Sequence, residues 1–291
     1  MKELIYPFPV KKMALSDGND LAYIDEGDGD EVLLFVHGLG SYLPAWRKNM
    51  LVLQHLHRCI ALDLPGYGKS TKRLPEGLLI SYYASTIIEL MDHLELNHVT
   101  LVGHSMGGQT SILTSLQYSN RISKLILAAP AGFEKFNSRE SAFMRQAFNS
   151  KAVMKLPAKK IAKNIRYNFH KFPEDAQFMI ADRLMMRASE DFEAYSETIP
   201  RCIAGMLDEP VHDRLHELRQ PTLVVFGRQD NLIPNRFLKL SNPQTVAEAG
   251  AKKIPKCHLI MVNSAGHFVM YERSRVFNQA VVDFMMHGMP D

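Results

Sequence analysis

Three side chains far apart in this sequence could act together: Ser105 in GHSMG, Asp230 in VVFGRQDNLIP and His267 in NSAGHF. A serine hydroxyl is a weak nucleophile until a base takes its proton, and the base needs a third group to fix its tautomer and stabilise the imidazolium. Of twelve histidines, His267 is the best base, because it follows the last strand-like run on a Gly-containing loop that can fold over Ser105. Asp230 ends another strand-like run; Asp208 or Glu209 could serve only if that strand were misplaced. An oxyanion formed by attack on a carbonyl needs donors, and the backbone N–H groups of Met106, after the serine, and Leu39, in the HGLG loop, are the natural pair. His37 is read as a brace for that loop, and His104 as a packing or hydrogen-bonding residue.

The elements that must position these groups follow from the pattern of apolar runs. Residues 31–38, 58–66, 98–105, 123–130, 221–230 and 258–267 contain short apolar stretches bounded by Gly, Pro or Asp, as strands buried on both faces of a parallel sheet do. Helical periodicity lies between them, at 44–55, 80–94, 106–118 and 271–286. Alternation of this kind implies a doubly wound α/β layer, in which the strand-to-helix loops converge at the carboxyl ends of the strands. Two earlier segments, 10–15 and 21–25, meet at SDGND and read as an antiparallel hairpin at the sheet edge. GxSxG alone is weak, since it turns up by chance in roughly one chain in ten of this length. Its position is what counts: the change from strand to helix lifts the hydroxyl to the mouth of a helix N-terminus, and a Cβ at either flanking glycine would collide with a neighbour.

Composition bounds the rest. The chain has 291 residues, 46% hydrophobic and 22% charged, with a net charge of +3. One large core is expected. No apolar run approaches the roughly 20 residues of a spanning helix, and the N-terminus carries Glu3 and prolines where a leader would be basic and then apolar. A cytoplasmic protein without stable membrane insertion is the expectation. Cys59, Cys202 and Cys257 form no CxxC pair and read as buried free thiols. No groove-reading motif accompanies the basic residues, so a nucleic-acid partner is not expected.

VHGLG, LDLPGYGKS, LVGHSMGG, LVVFGRQDNLIP and NSAGHF together resemble the α/β-hydrolase fold superfamily, in family order and over essentially the whole chain. The resemblance implies a mostly parallel eight-stranded sheet flanked by helices, with an inserted helical cap. It assigns residues 1–130 and 206–291 to the core and 131–205 to the cap, where only helical patterns occur. It implies a Ser105–His267–Asp230 triad with an acyl-enzyme intermediate, Asp63 as scaffold in a structural turn, and no metal or cofactor. Within the family, carbon-carbon bond hydrolases of ring-fission diketones typically carry Asn before the serine and Trp after the histidine. His104 and Phe268 stand there, which favours hydrolysis of a small or medium carboxylic ester. Dehalogenases and epoxide hydrolases use aspartate in place of the serine and are disfavoured; cofactor-free haloperoxidases share the set. A non-catalytic ligand-binding protein of the same fold is the alternative from another class. Phe268 and Phe133 are candidates for lining the substrate pocket.

Between Lys135 and Lys171 ten Lys or Arg face one acid, Glu140. Ile161, Ile165 and Phe169 repeat at i, i+4, i+8, with the cations largely elsewhere around the helix. The plain reading, a solvated helix face packed on the core, is preferred over a basic lid that meets anionic ligands or a membrane surface.

Overall fold

The computed structural model describes residues 4–288. Residues 1–3, with Glu3, and 289–291, the end of the expected core, lie outside the described residues. The elements in chain order begin with β1 (Lys11–Ala14), β2 (Asp20–Glu26), β3 (Val32–Val36), α1 (Arg47–Leu53), β4 (Arg58–Leu62) and α2 (Leu79–His93). They continue with β5 (Val99–His104), α3 (Met106–Gln117) and β6 (Ile122–Ala128). Five helices come next: α4 (Ser138–Ala147), α5 (Ser150–Met154), α6 (Ala158–Tyr167), α7 (Gln177–Arg187) and α8 (Phe192–Asp208). The chain closes with β7 (Thr222–Gly227), α9 (Pro243–Ala251), β8 (Cys257–Val262), α10 (Val269–Glu272) and α11 (Ser274–His287).

All eight strands form one sheet in the order β1-β2-β4-β3-β5-β6-β7-β8. The expected hairpin is present: β1 pairs antiparallel with β2, which pairs antiparallel with β4, and every other pairing is parallel. Alternate residues of the central strands enter opposite cores. Leu34, Val36, Leu101 and Leu125 pack with Tyr83, Ile87 and Ile112 of α2 and α3. Leu33, Phe35, Val102 and Ile126 pack with Met50 of α1 and with Phe277 and Val281 of α11. Burial on both faces is why these strands read as unbroken apolar runs.

The stretch between β6 and β7 is helical throughout its regular structure. Asn137 caps α4 in a capping box, accepting from the N–H groups of Arg139 and Glu140 while Glu140 accepts from the Asn137 N–H at 2.8 Å. Two short helices escaped the periodicity reading. α5 is capped by Asn149, and α9 by Asn242 with Pro243 in its first turn, a start signal that was legible in the sequence. α8 runs unbroken to Asp208, past the Gly205 at which the expected insertion ends. Cys59, Cys202 and Cys257 are free, and burial raises the Cys202 thiol to about 11 and the other two to about 12. Among the described residues no helix is long and apolar enough to cross a membrane.

Candidate active site

β5 ends at His104 and α3 starts at Met106, so the whole reversal is carried by Ser105, whose backbone is held at φ +53° and ψ −119°. That region is close to forbidden for a side-chain-bearing residue and persists only where its surroundings over-determine it. Here the surroundings do so. The Ser105 N–H donates to Ala128 O at 3.1 Å, and Ser105 O accepts from Gly108, Gln109 and Ala131. A Cβ on Gly103 would lie 2.5 Å from Gly107 O and 2.6 Å from Ser111 Oγ, while one on Gly107 would drive into the carbonyls of Val36 and His37. Gly107→Ala is therefore expected to cost about 3 kcal/mol and to lower the melting temperature by roughly 5–10 °C, read by thermal unfolding. An unchanged melting temperature would show that the approach of α3 to β3 is looser than this.

α3 is buried from Met106 to Ser115 although half of those residues are polar. Thr110, Ser111, Thr114 and Ser115 each donate a hydroxyl hydrogen to the carbonyl four residues back, at 2.7–3.0 Å. Each buried hydroxyl is thus satisfied within the helix, and none needs water.

The carboxyl ends of the strands bring the predicted groups to one place. Leu39, after β3, Ser105, after β5, and His267, after β8, line a single cavity of about 320 Å³. Asp230, after β7, is completely buried behind His267. The His267 Nδ1–H donates to Asp230 Oδ2 at 2.7 Å, and Asp230 Oδ1 accepts from the N–H groups of Leu232 and Ile233 at 2.7 and 3.0 Å. Because a carboxylate only accepts, the proton of the imidazole sits on Nδ1 and the Nε2 lone pair is left for another partner. Among the described residues no hydrogen bond joins His267 to Ser105; the two are brought together as walls of one cavity. Met106 is the first residue of α3, a position whose N–H has no acceptor within a helix.

The neighbouring histidines are spoken for. His37 donates from Nδ1 to Gly38 O and accepts the Leu64 N–H on Nε2, at 2.9 and 3.1 Å, so its ring ties the HGLG loop to the turn after β4. His104 donates from Nε2 to His267 O at 3.0 Å, and burial holds its ring well below the ordinary imidazole range, hence neutral. Arg183 of α7 donates to Gly40 O, and Tyr42 donates to Asp182 Oδ2, fastening the same loop to the helical segment. Asp63 accepts from the N–H groups of Leu43 and Lys69, both at 2.7 Å, which fits its expected part as scaffold.

Phe268 lines the cavity, its ring 4.6 Å from that of His104 and 5.1 Å from that of Phe169. Phe133 does not. Its ring is buried against Phe226, beside Gly250 of α9, and only its neighbours Gly132 and Glu134 face the cavity. The expectation for Phe133 is corrected accordingly: the backbone there turns a bulky apolar ring into the core under β7.

A family model described as the alpha/beta hydrolase fold matches residues 31–274, most of the chain. The chain belongs to the α/β-hydrolase fold family. This hydrolase is 31% identical over 261 residues to the dihydrolipoyllysine-residue acetyltransferase component of the acetoin cleaving system of Pseudomonas putida, covering 89% of the chain but only 64% of that relative. It is 26% identical over 290 residues to 2-hydroxy-6-oxononadienedioate/2-hydroxy-6-oxononatrienedioate hydrolase 1 of Pseudomonas putida, covering 95% of the chain and 96% of the relative. Among solved structures, a probable hydrolytic enzyme from Pseudomonas aeruginosa superposes with a TM-score of 0.85 at 22% identity, covering 97% of this chain and 95% of that one.

Several residues that shape the hydrolase's cavity carried no signal in the sequence. Gln109 faces it and donates from Nε2 to Met206 O and Glu209 O, both at 2.9 Å, which joins α3 to the end of α8. Asn168 O accepts from the N–H groups of His267 and Phe268, at 2.8 and 3.2 Å, and the Glu272 carboxylate accepts from Gly266, His170 and Lys171. Glu134 lines the cavity with one carboxyl oxygen held by the Asn235 N–H at 3.1 Å and no ion-pair partner among the described residues. Burial pushes its carboxyl up to about 7, against the pull of the Asn235 N–H and Lys239. Lys135, its neighbour on the cavity wall, is bonded to Asp213 at 2.6 Å.

Proposed function

We propose that this hydrolase cleaves small or medium carboxylic esters whose non-reacting end is uncharged. Ser105 Oγ attacks the ester carbonyl as His267 Nε2 takes its proton, and Asp230 holds the imidazole in the Nδ1–H tautomer. The N–H groups of Leu39 and Met106 receive the oxyanion. His267 returns the proton to the departing alkoxide, and water activated by the same nitrogen then releases the acid from the acyl-serine. Residues 131–205 serve as a cap over this site. The observation that carries the reading is the 2.7 Å His267–Asp230 bond at the wall of the cavity into which the strained Ser105 turn faces.

The second reading, carbon-carbon bond hydrolysis, has the name of the full-length Pseudomonas putida relative in its favour. The substrate in that name is a dioate, with two carboxylates. In this chain Glu134 faces the cavity without an ion-pair partner among the described residues, and above about pH 7, where its carboxyl is ionised, a second carboxylate placed near it would meet like charge. Labelling by a fluorophosphonate probe, followed by turnover of p-nitrophenyl butyrate against a vinylogous diketone acid, separates the readings. Faster turnover of the diketone, or no labelling of pure protein, would overturn the proposal.

Glu134 makes a further prediction. Its carboxyl is raised in the folded state, so its contribution to stability is whole below the unfolded-state value near 4.5 and is lost as pH rises through about 7. Glu134→Gln removes that loss. The variant should melt progressively higher than wild type between about pH 5 and pH 8, by up to about 2 kcal/mol or ~4 °C. A difference that stays flat across this range would mean that Glu134 is as well hydrated as a surface carboxylate. At the upper end the substitution should also narrow the preference for p-nitrophenyl butyrate over the anionic mono-p-nitrophenyl glutarate, by about tenfold.

A further inference from the structure

The esterase reading leaves the basic stretch that follows α4 without a purpose. From Ser141 to Pro173 the chain holds no Asp or Glu. Lys151, Lys155, Lys159, Lys160, Lys163 and Lys171 are all exposed, and none has a carboxylate partner among the described residues. The ion pairs of this region involve other cations, Arg145 with Asp208 and Lys239 with Glu140. Below the cations, Ile161 and Phe169 are buried, as their spacing predicts.

Charge is half of the pattern. Phe237 and Leu240 lie almost wholly in solvent, at 90% and 108% exposure, and Phe143 is half exposed on α4. Large apolar side chains left so bare are uncommon, and a cluster of them marks a contact surface. Residues 235–240 lie against α4: Lys239 bonds Glu140 at 2.7 Å and Asn235 Nδ2 reaches Met144 Sδ at 3.4 Å. Ser141 and Met144 of α4, and Asn168 at the end of α6, line the cavity. The bare apolar tips thus sit beside α4, and the cationic stretch runs from α4 to Asn168, so both adjoin elements that line the cavity.

We propose that this rim docks on an anionic lipid surface, the lysines against headgroup phosphates and Phe237 and Leu240 among the first acyl carbons. Cations alone would suit any polyanion, but a bilayer is the partner that offers both chemistries in adjacent layers. The largely apolar cavity would then open toward the layer in which lipophilic esters concentrate. Docking is a property of the rim and stands apart from the chemistry at Ser105.

The test is co-sedimentation of the intact protein with phosphatidylcholine vesicles, with and without phosphatidylglycerol. Binding is expected to the phosphatidylglycerol vesicles only, and to fall at about 0.5 M salt. A K159E/K160E/K163E variant should bind at least about tenfold more weakly, and F237S/L240S should also lose affinity. Both variants should keep wild-type melting and wild-type turnover of soluble p-nitrophenyl butyrate. Equal partitioning of wild type to neutral and anionic vesicles would overturn the proposal. So would undiminished vesicle binding by both variants, capture by heparin without vesicle binding, or self-association that buries Phe237 and Leu240.

Discussion

Ser105→Ala should lower kcat/KM for p-nitrophenyl butyrate by at least ~10⁴-fold, with the melting temperature close to that of wild type. The size of the loss follows from the role: without an Oγ there is no acyl-enzyme, and only the oxyanion donors and substrate positioning remain. The small effect on folding follows from the structure, where Ser105 is held through its backbone, by Ala128 O, Gly108, Gln109 and Ala131. A companion variant separates chemistry from strain. At φ +53° a glycine is relaxed where serine is not, so Ser105→Gly should be equally inactive yet more stable by about 1 kcal/mol. An alanine variant retaining a tenth of wild-type turnover would remove Ser105 from the mechanism. A glycine variant that melts lower than the alanine one would show that the turn is unstrained.

The second large effect is at Asp230. Asp230→Asn should reduce kcat/KM by ~10⁴-fold, because every polar contact of this buried carboxylate is an N–H that donates to it. An amide offers one acceptor oxygen. If that oxygen stays with Leu232 and Ile233, the new NH₂ confronts the His267 Nδ1–H, and the imidazole must move its proton to Nε2. It then presents Ser105 with a donor where a base is needed. Turning the amide over spares the histidine but leaves two backbone donors facing NH₂, at a cost of about 1–3 kcal/mol for each unmet group. A variant with unchanged turnover, measured alongside circular dichroism to confirm folding, would show that another residue orients His267.

The central architecture was readable because the signals were redundant. Strands buried on both faces leave unbroken apolar runs, and the same strand ends carry the Gly-flanked loops that hold Ser105, Asp230 and His267. Helix α3 was placed correctly although its run of Gln, Thr and Ser hides its burial, since hydroxyls bonded to the carbonyls four residues back keep a polar sequence dry. α9 could have been found from Asn242-Pro243. Phe133 was misassigned for a reason periodicity cannot supply: beyond the end of β6 no regular geometry dictates which of Gly132, Phe133 and Glu134 turns inward. Glu134 had no local signature, because its perturbation comes from burial in the folded cavity wall, only partly offset by a contact with Asn235, about a hundred positions along the chain.

The anchoring at Asn168 bears on how the molecule breathes. Its carbonyl holds the backbone of His267 and Phe268, while Glu272 clasps Gly266 together with His170 and Lys171. The trailing end of α6 and the histidine loop are therefore tied together, and a displacement of one would carry His267 with it. The opposite jamb is held differently: the exposed Arg145–Asp208 pair ties α4 to the end of α8, and the part-buried Lys239–Glu140 pair binds residues 235–240 to α4.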